Sequence, residues 1–147
     1  MDKRQKKIDQ LIKRIIGNQA SRIALATQDH SLFFGIYFGP RYIKFESAPM
    51  HSEIFAITED EKIKMAVITA FRDCGKSTIF TLSYPLWAIL GKPQKKFVVI
   101  LGQTQLKAQE YLRNIKHQLE GNELMRADLG PFKEESGQWG ATALIIP

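Results

Sequence analysis

The chain has 147 residues, 44% hydrophobic and 24% charged, with a formal net charge of +6 and a single cysteine, Cys74. That length suits one domain with its own core, no apolar run approaches the roughly 20 residues of a membrane-spanning helix, and the charged N-terminus is unlike a secretory signal. The lone cysteine excludes an internal disulfide, so a cytoplasmic setting without membrane association is expected, and the positive excess favours nucleic acid or phosphate-bearing partners.

Residues 2–16 read as an amphipathic helix. Ile8, Leu11, Ile12, Ile15 and Ile16 recur at helical spacing among Lys3, Arg4, Lys6, Lys7, Lys13 and Arg14, and Gly17-Asn18 supplies a stop. Such a helix either packs on its own domain or reaches a partner. Residues 20–46 hold Phe33, Phe34, Tyr37, Phe38, Tyr42 and Phe45, an aromatic cluster of core type broken at Gly39-Pro40. Residues 51–60 read as a short helix with Ile54, Phe55 and Ile57 as its apolar positions.

The pattern then becomes alternating. Residues 64–70 form an apolar run of strand type, and residues 76–90 read as a helix kinked at Pro85. Phe97-Val98-Val99-Ile100-Leu101 reads as a buried strand, residues 104–120 as a helix capped by Thr104, and Ala143-Leu144-Ile145-Ile146 as a further strand. This order predicts an α/β fold. The expected architecture is a partial P-loop NTPase (RecA-like) parallel sheet flanked by helices, preceded by an α-helical N-terminal segment over 1–46, with an incomplete ATPase domain over 47–147.

The chemistry concentrates in Ala70-Phe71-Arg72-Asp73-Cys74-Gly75-Lys76-Ser77-Thr78. Gly-Lys-Ser between a predicted strand and a predicted helix is the context of a phosphate-binding loop. The first N–H groups of a helix lack carbonyl partners and carry partial positive charge, which phosphate oxygens satisfy. Gly75 lets the backbone approach the phosphates, and Lys76 adds a full charge. Ser77 is positioned to ligate Mg²⁺, and Thr78 to reach the α-phosphate. Ala70 stands where the full pattern has its first glycine. A helix start that merely contains Gly-Lys-Ser is the competing reading.

Arg72 suits either a salt bridge with Asp73 or stabilisation of transition-state charge. The thiol of Cys74, beside Lys76 and a helix start, is a candidate for oxidation that blocks nucleotide binding. Gln103 and Thr104, after the second predicted strand, are either ligand-facing or a simple N-cap. His30, His51 and His117 have no metal-ligand spacing, so no metal beyond Mg²⁺ is expected.

Taken together, His51-Ser52-Glu53-Ile54-Phe55, the loop 70–78, Tyr84-Pro85-Leu86-Trp87-Ala88-Ile89-Leu90, residues 97–104 and Gly137-Gln138-Trp139 resemble phage and prophage terminase large subunits. The resemblance covers roughly residues 30–147. It implies a variant Walker A loop in which Arg72 is functional, with Arg72 to Thr78 on the phosphates and His51 on the adenine side. It further implies ATP and Mg²⁺ as ligands. Double-stranded DNA, a small terminase subunit and a portal are the implied partners of the full-length protein, and self-association stays open. The family's Walker B carboxylates and nuclease domain have no counterpart here, so this chain is expected to bind ATP weakly at best and to hydrolyse it hardly at all. Two alternatives remain: a helicase-like ATPase of the DEAD-box type, or a non-enzymatic prophage relic that binds motor partners.

Overall fold

A computed structural model describes residues 14, 16–43, 48–132 and 140–146. Helix α1 (Gln19–Gln28) starts at Asn18, whose side chain accepts the Ser21 N–H at 3.0 Å. One residue, Asp29, separates it from α2 (His30–Tyr37) and caps α2 by accepting the Leu32 N–H at 2.8 Å. Helix α3 (Gly39–Tyr42) and helix α4 (Pro49–Glu59) each carry proline in the first turn, where a missing N–H costs no helical bond.

A longer helical run follows: α5 (Lys76–Thr78), a π-helical segment (Ile79–Ser83) and α6 (Tyr84–Leu90). The widening has a cause in Pro85, whose ring would clash with the Thr81 carbonyl in a regular α-helix. The Tyr84 N–H bonds instead to the Ile79 carbonyl, five residues back. Helix α7 (Gln105–Gly121) starts where Thr104 accepts the Lys107 N–H at 3.2 Å, and α8 (Glu123–Leu129) where Asn122 accepts the Met125 N–H at 3.1 Å.

Helices this short are marginal alone, so packing holds them. The core comprises Ala26, Phe33, Phe38, Leu86, Leu119 and Met125, all fully buried, with Phe34, Tyr37, Phe55, Ile79 and Trp87 around them. Each large apolar side chain taken out of water contributes roughly 1.5–3 kcal/mol.

Two polar contacts fix the arrangement. Arg22 on α1 meets Asp128 on α8 bidentately at 2.6 and 2.5 Å, and its third nitrogen donates to the Ile16 carbonyl at 2.6 Å. The Tyr37 hydroxyl donates to the same carboxylate at 3.1 Å. Burial, with the Asp128 charge beside it, pushes the Tyr37 phenol up from its ordinary range.

His30 is fully buried between α4 and the π segment. Its Nδ1 lies 2.7 Å from Thr58 Oγ1 and its Nε2 2.9 Å from Ser83 Oγ. Thr58 already donates to the Phe55 carbonyl, so Nδ1–H is the donor and Nε2 accepts from Ser83. The ring stacks on Trp87 at 5.2 Å and meets Phe55 edge-on at 5.0 Å.

The expected α/β fold is overturned: no strand forms among the described residues, and the parallel sheet of a RecA-like P-loop NTPase is absent from them. Residues 64–70 and 97–101 make no backbone ladder among the described residues, and at 143–146 only Leu144 forms an isolated bridge. Met65, Val67, Phe97 and Leu101 are each more than 80% exposed. An apolar run becomes a strand only when a neighbour pairs along it with its N–H and C=O groups, and among the described residues these segments have no such ladder. The buried apolar surface belongs to helix faces instead, which makes the described domain all-helical.

Most of the expected helix 2–16 lies outside the described residues, as do Phe45, residues 137–139 and the proposed boundary at 46/47; Arg14 and Ile16 are helical and exposed. No helix among the described residues is long and apolar enough to cross a membrane.

Candidate phosphate-binding site

The loop after residue 70 turns sharply through two left-handed positions. Gly75 has φ +79°, which it adopts without strain, and Asp73 has φ +61°, which is uncommon for a residue with a Cβ. Gly75 then opens the helical run of α5, the π segment and α6, so the leading N–H groups of that run have no carbonyl one turn earlier.

His51 holds the loop from below. Its Nδ1 accepts the Ala48 N–H at 3.0 Å, which leaves Nε2–H to donate to the Cys74 carbonyl at 2.9 Å. The first contact is half of a capping box at the start of α4, so one side chain both closes a helix end and fastens the loop. A Cβ added at Gly75 would lie 3.9 Å from His51 Nε2, so it is the backbone angle rather than space that requires glycine there.

The loop floors a cleft of about 570 Å³, within the usual range of small-molecule sites. Asp73, Cys74, Gly75, Lys76, Ser77 and Thr78 line it, together with His51, Phe34, Tyr42 and Phe55. The site is thus assembled from α2, α3, α4 and the loop.

The candidates from the sequence divide into three groups. Asp73 to Thr78 and His51 come together in this cleft, His51 through its bond to the loop. Arg72 sits in the turn, exposed, outside the cleft lining, and no ion pair joins it to Asp73 among the described residues. Gln103 and Thr104 are exposed at the start of α7 and line neither this cleft nor the neighbouring one, with Thr104 acting as the N-cap. Cys74 is a buried free thiol.

Oxygen donors suited to a hard cation are few. Ser77 Oγ and the Asp73 carboxylate line the cleft, and no cluster of three or more His, Cys, Asp or Glu able to hold a metal occurs among the described residues. That donor set fits Mg²⁺ arriving with a phosphate ligand and its waters better than a resident ion in a protein cage.

On the far side of Ser77 and Thr78 lies a second, polar cleft of about 550 Å³ between α3 and α7. Sequence reasoning missed it, because its walls come from segments about 70 residues apart that no motif connects. Tyr42, Ser77 and Thr78 line both clefts.

No family profile, curated protein or solved structure matches the chain. The resemblance to terminase large subunits is therefore overturned: none of these comparisons supports it, and the described residues lack the sheet on which a RecA-like motor is built.

Proposed function

We propose that the cleft above Asp73–Thr78 binds the phosphate end of a nucleoside triphosphate, ATP being the reference ligand, together with Mg²⁺. The observation that carries this reading is the loop itself. Two left-handed residues turn the backbone into the start of a helical run, with Lys76, Ser77 and Thr78 lining a cleft of nucleotide size. The leading N–H groups of the run and the Lys76 ammonium supply positive charge to the phosphates. Ser77 supplies a hydroxyl to Mg²⁺, and Asp73, which lines the same cleft, supplies a carboxylate for the ion's waters.

Binding rather than turnover is the reading supported. Fast hydrolysis needs a group that positions the attacking water, and Asp73 is the only carboxylate lining the cleft among the described residues. Its left-handed backbone commits it to the loop turn.

Calorimetric titration with ATP and Mg²⁺, wild type beside Lys76→Ala, tests the proposal. Saturable binding that weakens at least tenfold in the variant is expected, the loss of one charge-assisted contact being worth about 1.5–3 kcal/mol. Binding equal in the two proteins, or absent from a folded wild type, refutes it.

A further inference from the structure

Resting on that reading, we infer that the polar cleft between α3 and α7 takes the nucleoside end of the same ligand, so that base recognition falls to Tyr111 and Asn114 on α7. The two clefts meet at Ser77, Thr78 and Tyr42. On that reading, a triphosphate over Gly75–Ser77 would have its α-phosphate beside Thr78, which lines both clefts, and the sugar and base would extend from there. The next residue of the helical run to line the polar cleft is Thr81, one turn further on.

The chemistry of the two clefts decides the direction. The wall facing the loop is largely aliphatic and aromatic, with His51 already committed at both ring nitrogens. Among the described residues it offers a base no side-chain amide. The polar cleft presents Asn114 and Gln118, amides that both donate and accept and so match the edge of a base. It also presents two tyrosines, each with a cation over its ring: Arg41 over Tyr42 at 5.8 Å and Lys107 over Tyr111 at 5.3 Å. Stacking on a tyrosine is favourable for any base, and a neighbouring cation adds to it.

Orientation is built in. Gln118 is buried, and its Nε2 donates to the Tyr42 hydroxyl at 3.4 Å. Lys107 is tethered to Glu110 at 2.9 and 3.0 Å, which keeps its ammonium near Tyr111. Asn114 is exposed and Tyr111 half-buried on the cleft side of α7, so truncating either leaves the core intact.

The test compares ATP with inorganic triphosphate, both with Mg²⁺, by calorimetry on the full chain and on Tyr111→Ala, Asn114→Ala and Lys76→Ala. The expected result is that Tyr111→Ala weakens ATP binding about tenfold and Asn114→Ala about fivefold, with triphosphate affinity unchanged in both. Lys76→Ala weakens both ligands. Wild-type affinities that are equal for ATP and triphosphate overturn the nucleoside cleft while leaving the phosphate loop standing. So does a loss in Tyr111→Ala or Asn114→Ala that is the same for both ligands, or no loss at all. If Lys76→Ala alters neither ligand, or the wild type binds neither, the phosphate loop falls as well.

Discussion

His30 gives the fold a measurable acid sensitivity. Burial pushes its imidazole down from 6.5 to about 3, only partly opposed by Asp29. The folded chain therefore keeps His30 neutral at pH values where the unfolded chain protonates it. The unfolded state then binds more protons, so stability is fully present above pH 6.5, falls as pH drops below that value, and stops falling near pH 3. Between pH 7.5 and 5.5 the wild type should lose about 1.4 kcal/mol through this group alone, since one pKa unit corresponds to about 1.36 kcal/mol. Glu59 confines the test to that window. Burial raises its carboxyl, so its protonation favours the folded state at lower pH and would mask the histidine.

The comparison protein is His30→Leu. It keeps the site apolar, and the hydroxyls it frees have partners: Thr58 donates to the Phe55 carbonyl at 2.8 Å, and Ser83 turns its proton from His30 to the Ile79 carbonyl, 3.3 Å away. Urea unfolding of both proteins across the window isolates the His30 contribution, because every other titratable group is present in both. The wild type should lose about 1.4 kcal/mol more than the variant. Parallel pH profiles, or a His30 ring resonance that titrates near neutrality in the folded protein, would refute the reasoning.

Other perturbations follow from single contacts. Arg22→Ala strands the buried Asp128 carboxylate and should cost about 3–5 kcal/mol in chemical denaturation; a cost below about 1 kcal/mol would mean that the pair is solvated. Gly91→Ala would place a Cβ 2.6–2.7 Å from the Trp87 ring and carbonyl, so a loss of about 1–3 kcal/mol is expected in the urea midpoint. An unchanged midpoint would show that the turn after α6 yields freely. His51→Ala removes the bond to the Cys74 carbonyl and the cap of α4 together. It should weaken ATP binding several-fold while far-ultraviolet circular dichroism stays near that of the wild type, and undiminished affinity would free the loop from His51.

Much of the local structure is legible from short-range chemistry. Thr104 marks the start of α7 because its hydroxyl accepts an N–H three residues on, an interaction that needs no distant partner. Pro85 marks a disturbed helix because its ring acts on its own preceding turn, although the sequence cannot say that the result is a π segment. Asn122 carries a similar capping signal for α8, a helix that the sequence reading passed over. The Gly-Lys-Ser-Thr start of a helical run is likewise local, and so is the need for glycine at position 75.

What the sequence by itself determined, then, is where several helices begin and where Gly-Lys-Ser-Thr opens a helical run, because caps, proline rings and glycine angles act within a turn or two. Tertiary structure decided the rest. Segments such as 97–101 have strand composition, but pairing is a property of two segments, and among the described residues none supplies the ladder. It also decided that His51 serves the loop, that His30 is buried neutral, and that Tyr42 and Tyr111 face one cleft. Each of these joins residues far apart in the chain, and only the packing of the helices brings them within reach.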